Sequence, residues 1–247
     1  MTFVSTITGQ FSYFSQQVGE AMWRGKNVLD FGGNIGNILR DPLSTIDHDR
    51  YWCLDVDKSS IAKGRKAYPK AHWLFYNRFC FFFNPGGVPH LPLPDMKQTF
   101  DYILAFSVFT NTTETDMLEM VGQLEGVLAK KGVLAFTFMD PYYFPWPGRY
   151  NGNNLQWRLE LERDRGNISA AEVKSLAKKA QHLNWFILVN GGDLYIESED
   201  IKPYKRRQQR TCHAFHTEKY MKKLFPRAIV LPPVDDQMQH CCVIRKS

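Results

Sequence analysis

The sequence predicts an α/β fold: a doubly wound, mostly parallel seven-stranded sheet with an inserted helix-plus-hairpin lid at residues 141–204. Three observations predict it. Short apolar runs alternate with helix-spaced segments along the first half of the chain, the rhythm of parallel strands joined by crossover helices. The runs are apolar throughout, as strands covered on both faces require. A Gly-rich turn, Gly32-Gly33-Asn34-Ile35-Gly36, follows the first run, at the edge where open α/β sheets bind ligands. The length of 247 residues suits a single domain, 1–247, with one insertion.

The elements follow in order. Phe11, Phe14, Val18 and Met22 have helical spacing and predict an amphipathic helix over 11–22. Strands are predicted at Asn27–Phe31, Tyr51–Val56, His72–Tyr76, Phe100–Phe106 and Val133–Met139. A helix is expected right after the Gly-rich turn, and another from Lys58 to Tyr68, capped by Asp57 and stopped by Pro69. Residues 84–95 are Pro/Gly-rich loop. A helix from Glu114 to about Ala129 has Thr113 as its N-cap and Met117, Val121, Leu124 and Leu128 on one face, with Gly132 closing it. Ser169 and Glu172 form a capping box for a helix to His182. Phe186–Val189 and Leu194–Ile196 flank Asn190-Gly191-Gly192-Asp193, a hairpin signal. Ala228–Leu231 and Cys241–Arg245 close the sheet.

Composition narrows the function classes. Hydrophobic residues make up 44 % and charged residues 23 %, which suits a chain with a real core. No run of 18 apolar residues exists, so no membrane span is expected. The first basic residue is Arg24, and no signal-like n-region or h-region precedes it. Cys53, Cys80, Cys212, Cys241 and Cys242 include no zinc-type spacing, so reduced thiols, a cytoplasmic location and no metal are expected. The net charge of +6 permits an acidic ligand or RNA. The one dense basic run, Lys205-Arg206-Arg207 with Arg210, reads as a solvated loop, an anion contact or an RNA contact.

The sharpest motif is Asp30-Phe31-Gly32-Gly33-Asn34-Ile35-Gly36-Asn37. Its glycines let a backbone approach a ligand and adopt positive φ. A dinucleotide fingerprint would need glycine at 34 and 37, and both are Asn. The segment resembles instead the Asp-x-Gly-x-Gly-x-Gly motif of class I, Rossmann-like methyltransferases that use S-adenosylmethionine (SAM), with Gly32 and Gly36 in place. Asn34 replaces the middle glycine and is the side chain best suited to a left-handed backbone. Phe100–Thr110 is similar to the family's fourth-strand motif, and Leu128–Leu134 to its fifth-strand signature.

The resemblance implies SAM as cofactor and S-adenosylhomocysteine as product. It implies cofactor contacts from Asp30, Gly32, Gly33, Asn34 and Gly36, and from Asp55 with Val56 at the ribose. Asn77, Arg78 and Phe79 would lie near the adenine, and Phe106 and Ser107 beside the methionine part. Asn77-Arg78 departs from the family's usual acid-plus-small pair there.

Acceptor chemistry is read from the remaining residues. His213, His216 and Asn111 are the candidate catalytic groups, with structural readings open for each. Asn111 also suits a helix start. Tyr13, Tyr142, Tyr143, Trp146, Tyr150 and Trp157 are candidates for an apolar substrate wall, or for packing of the lid. Asp140-Pro141-Tyr142-Tyr143 is similar to the Asp-Pro-Pro-Tyr box of amino-group methyltransferases but follows the fifth strand rather than the fourth. The main expectation is a small-molecule O or N acceptor, as monomer or homodimer. RNA methylation and non-catalytic SAM binding are the alternatives.

Overall fold

A computed structural model describes residues 9–80, 83–143, 154–166, 168–180, 185–190, 195–198, 211–234 and 238–247. The central sheet contains strands β1 (Val28–Phe31), β2 (Tyr51–Asp55), β3 (His72–Phe75), β4 (Phe100–Ala105), β5 (Leu128–Met139), β9 (Ile229–Leu231) and β10 (Gln239–Arg245). Their spatial order is β3-β2-β1-β4-β5-β10-β9. Neighbours from β3 to β5 are parallel, and β10 runs antiparallel to both β5 and β9. The seven predicted strands are therefore all present. Three more join them: β6 (Trp185–Asn190), β7 (Tyr195–Ser198) and β8 (Thr211–His216). They attach through one pairing, Met139 beside Phe215. β6 and β7 are the predicted hairpin, while β8, which pairs antiparallel with β6, was not foreseen. Its sequence, Thr-Cys-His-Ala-Phe-His, is too polar to read as a buried run.

Both faces of the sheet are covered, which is why its strands lack polar alternation. Leu29, Phe31, Ile103 and Ala105 point to one side, against Met117, Val121 and Leu124 of α3 (Glu114–Gly126) and Met221 of α6 (Glu218–Leu224). Val28, Cys53, Tyr102 and Leu104 point to the other. They meet Phe11, Phe14 and Val18 of α1 (Gln10–Val18) and Ile61 of α2 (Lys58–Ala67). Asp57 caps α2 by accepting from the Ser59 and Ser60 N–H groups. Thr113 caps α3. Gly19, left-handed at φ 73°, stops α1 earlier than its apolar spacing suggested.

Two expectations fail for local reasons. α3 ends at Gly126, and residues 128–131 already belong to β5. Phe100 pairs with Leu128, then the register shifts so that Tyr102 meets Val133. Lys131 takes φ 62°, and a Cβ on Gly132 would lie 2.8 Å from the Ala129 carbonyl, so Gly132 serves an irregularity in the strand rather than a helix end. The helix expected after the Gly-rich turn is only one 3₁₀ turn, Asn37–Arg40. Pro42 follows it, and Asp41 turns back to accept from the Ser12 N–H and Oγ at the start of α1.

Beyond β5 come α4 (Asn154–Asp164) and α5 (Ala170–Ala180). Leu155, Leu159, Val173 and Leu176 pack on Met139 and Phe215. The capping box at Ser169 is formed, with the Glu172 carboxylate accepting from Ser169 and the Ser169 Oγ accepting from the Glu172 N–H. Among the described residues, no helix is long and apolar enough to cross a membrane.

Candidate active site

A cavity of about 300 Å³ opens at the carboxyl ends of β1, β2 and β4. The turn after β1 forms its floor. Gly32 has φ +75°, and a Cβ there would come within 2.4 Å of Val108 Cγ2. Its N–H donates to the Leu54 carbonyl at 2.8 Å, tying the turn to β2. Asn34 takes the left-handed φ of 54° expected of it. Its N–H donates to Asp55 Oδ2 at 2.8 Å, and its own Oδ1 accepts from Ile35. Gly33 and Gly36 build the turn from behind and do not border the cavity. A Cβ on Gly33 would lie 2.4 Å from Asp30 Oδ2.

Asp30 also lies behind the turn. It is buried and accepts from the Tyr51 hydroxyl at 2.7 Å. Burial pushes its pKa up to about 7, against the lowering effect of that hydrogen bond. Asp55 and Val56 do border the cavity. The Asp55 carboxylate is fixed by two backbone donors, Asn34 N–H and Asp57 N–H, each at 2.8 Å. Burial raises its pKa, and those bonds oppose the rise. Each oxygen keeps acceptor capacity for a further donor.

The third-strand expectation is only partly met. Arg78 and Phe79 border the cavity, and Asn77 is exposed outside it. The Arg78 guanidinium is fully engaged elsewhere. It donates to Glu119 at 2.9 and 3.0 Å, to Asp116 at 2.8 Å and to the Leu91 carbonyl at 3.0 Å. Those bonds hold the Glu119 carboxyl down to about 2, with His90 adding to the effect. Among the described residues, His90, Asp116 and Glu119 bring three donor atoms within 4.8 Å of one another. Arg78 already supplies the positive charge that a metal would bring there.

The far wall follows β4. Ser107 has φ 58°, a strained value for a non-glycine residue that clusters at functional sites. Its N–H donates to Thr137 Oγ1 at 2.8 Å. Gln239 Nε2 donates to Ser107 Oγ, and the Thr137 hydroxyl donates to Gln239 Oε1. Asn111 Nδ2 donates to the Ser107 carbonyl at 2.8 Å, so this amide closes the 3₁₀ turn before α3 while bordering the cavity. Phe106 borders it too and meets the Tyr13 ring edge-on at 5.5 Å. Tyr13 stands behind, its hydroxyl donating to the Gln239 carbonyl.

Sequence reasoning missed Gln10, Asn37, Thr112 and the Thr137–Gln239 pair. Gln10 gave no signal, since only the fold brings α1 to the cavity, and Thr112 stands between the Phe100–Thr110 motif and the Thr113 cap without belonging to either. Asn37 stood next to the motif. Its Oδ1 and the Thr112 Oγ1 are buried atoms without a hydrogen-bond partner among the described residues, and both residues border the cavity.

The two candidate histidines lie on opposite faces of β8, and neither borders the cavity. His213 is next to the charges of α4; burial, then Arg158 and Arg165, push its pKa down to about 3. His216 faces the start of α3. It is 1 % exposed, its Nε2 is 3.9 Å from Glu114 Oε2, and the Tyr220 hydroxyl donates to Glu114 Oε1 at 3.2 Å. Burial pushes its pKa down to about 4. The expected aromatic wall is dispersed. Tyr142 is exposed, Tyr143 lies edge-on to His240 at 5.2 Å, and Trp157 is buried with Met238. None of the three borders the cavity. Trp146, Tyr150 and the basic run 205–210 lie outside the described residues.

The family model for a methyltransferase domain matches residues 29–134, from β1 into β5. Residues 29–134 are thus similar to a methyltransferase domain. The whole fold agrees. An S-adenosylmethionine-dependent methyltransferase from Clostridium acetobutylicum superposes with a TM-score of 0.53 at 12 % identity, covering 96 % of this chain and 90 % of that one. A glycopeptide N-methyltransferase crystallised with S-adenosylhomocysteine gives 0.53 at 10 % identity, over 100 % and 92 %. An amino pentose methyltransferase from Micromonospora echinaspora, solved with SAM bound, gives 0.52 at 13 %. At these identities the likeness concerns the fold. No curated protein matches the sequence. The matched segment contains every cavity-bordering residue named above except Gln10.

Proposed function

We propose that this chain is a SAM-dependent methyltransferase acting on a small-molecule O or N acceptor, with residues 141–204 as a lid over the carboxyl edge of the sheet. The observation that carries the reading is the cavity at that edge, where the family's Gly-rich turn and Asp55 stand together. The residues suit the cofactor. Gly32 has no Cβ to meet Val108, so the turn stays close to β4, Asp55 offers both oxygens to a diol, and Asn37 Oδ1 is an acceptor in need of a cation or donor. When bound, SAM supplies a sulfonium-activated methyl group.

The chain's own contribution is then positioning and exclusion of water. Asp55 holds the ribose end, while Phe106 and the strained Ser107 border the opposite end. The Thr137–Gln239 network locks Ser107 in place. Burial lowers His216 to about 4, which makes it a weak base, so positioning rather than deprotonation carries the transfer.

Calorimetric titration with S-adenosylhomocysteine tests the reading, with NAD⁺ and ATP as controls. Selective micromolar binding is the expected result. A preference for NAD⁺, or no binding, would overturn it. Aminosugars, phenols and small amines form the first acceptor panel, and the two natural-product enzymes among the structural relatives support that choice.

A further inference from the structure

The lid contains a cationic group that methyl transfer as described does not use. Helix α4 places Asn154, Arg158 and Glu162 at four-residue spacing, which stacks side chains on one helix face. That face is turned inward. Asn154 is 0 % exposed and Glu162 2 %. Neither amide atom of Asn154 has a hydrogen-bond partner among the described residues, and nor has Arg158 Nε. The Arg158 guanidinium lies over the Trp157 ring, 4.2 Å from its centroid. Glu162, the acid on this face, is bonded through Oε1 to Arg165 at 2.9 Å. Its charge also acts on Arg158. Burial, then Arg165, push the Arg158 pKa down to about 10 despite the pull of Glu162.

A half-buried guanidinium whose Nε is unmatched is costly, and an unsatisfied buried amide beside it adds to the cost. An oxyanion would remove both penalties. The position is suitable, because α4 begins where β5 ends. The Leu155 N–H donates to the Pro141 carbonyl at 3.0 Å, and Leu155 and Leu159 pack on Met139, the last residue of β5. This is the sheet edge on which the cavity opens.

We propose that Arg158 and Asn154, with His213 beside them, form an oxyanion site in the lid that receives a carboxylate or phosphate group of the methyl acceptor. The assignment rests on the methyltransferase reading above. The planar guanidinium, kept in place by the Trp157 ring, donates to two oxygens of such a group. The Asn154 carboxamide adds a neutral donor, and the neutral imidazole of His213 adds another. The acceptor is thereby held by its acidic end, with its nucleophilic atom left free for the cavity.

The test uses the full chain and two probes at constant ionic strength, benzoate for carboxylate and phenyl phosphate for phosphate, with benzyl alcohol as the neutral control. Thermal melting should show a saturable rise with at least one oxyanion and none with benzyl alcohol; the probe that acts names the group. Arg158→Met should weaken that response at least tenfold. Asn154→Asp puts a carboxylate next to Arg158, so it should raise the melting temperature without ligand and abolish the response. No response in the wild type, or an equal one in Arg158→Met, would overturn the site. S-adenosylhomocysteine calorimetry on the same proteins separates the two ideas. Retained cofactor binding with no oxyanion effect sinks the anion site alone, whereas lost binding in the wild type sinks the methyltransferase reading.

Discussion

The turn after β1 and helix α4 both bury charge, and they treat it in opposite ways. At the turn each carboxylate has its donors in place: Asp30 has the Tyr51 hydroxyl, and Asp55 has two backbone N–H groups. In α4, Arg158 Nε and the Asn154 amide are buried polar atoms with no hydrogen-bond partner among the described residues. A site whose partners are built in is preorganised and contributes before ligand arrives. A site with partners missing is complete only when something binds, which suits a lid that responds to the acceptor.

This contrast can be broken at several points. The largest effect is expected at the turn. Gly33→Ala forces a methyl group into the buried Asp30 carboxylate, so we expect a stability loss of about 3 kcal/mol together with loss of S-adenosylhomocysteine binding. A variant that melts like the wild type would show that the turn is not rigid. Asp30 gives a pH signature. Its pKa is raised to about 7 in the fold, so the folded state binds the extra proton. Stability then falls as pH rises from the unfolded carboxylate value, about 4, to about 7. Asp30→Asn should remove a decline of about 2–3 kcal/mol between pH 5 and pH 8, as measured by urea unfolding at both values.

Asp55→Ala removes charge-assisted hydrogen bonds worth about 1.5–3 kcal/mol, so calorimetry should record at least a tenfold loss of S-adenosylhomocysteine affinity. Unchanged affinity would remove Asp55 from the cofactor site. On β8, His216 has the opposite sign from Asp30. Its folded pKa is depressed to about 4, so its contribution is complete above about 6.5 and is lost as pH falls toward 4. His216→Gln should flatten the acid limb by about 2 kcal/mol between pH 6.5 and pH 5 and leave cofactor affinity intact. An unaltered acid limb would mean the imidazole is solvated. The smallest effect belongs to Ser169→Ala, where loss of the α5 cap should cost about 1 kcal/mol and leave cofactor affinity unchanged. A change in affinity there would couple the lid to the turn more tightly than their packing suggests.

The turn and the lid also differed in how far they could be read in advance. The Gly-rich turn, Asp55, the Asp57 and Thr113 caps and the Ser169 capping box are each set by a few adjacent residues, so local chemistry exposed them. Asn77 was misplaced because strand-end spacing predicts a backbone course and not the direction of an exposed amide. Arg78 looked like a ligand contact because nothing near it in sequence shows that Asp116 and Glu119, some forty positions later, consume its guanidinium. The helix expected after Gly36 failed because Asp41 found partners in Ser12, on an element far back in the chain.

From its sequence alone, this protein is determined as a doubly wound parallel sheet with a Gly-rich ligand turn, because strand periodicity, apolar runs and turn residues act over a few positions. Tertiary structure alone decided which polar groups meet. It put Gln10 at the cavity, joined Arg78 to Asp116 and Glu119, and set Gln239 against Ser107 and Thr137. Those outcomes depend on contacts between residues far apart in the chain, and such contacts leave no periodic trace along it.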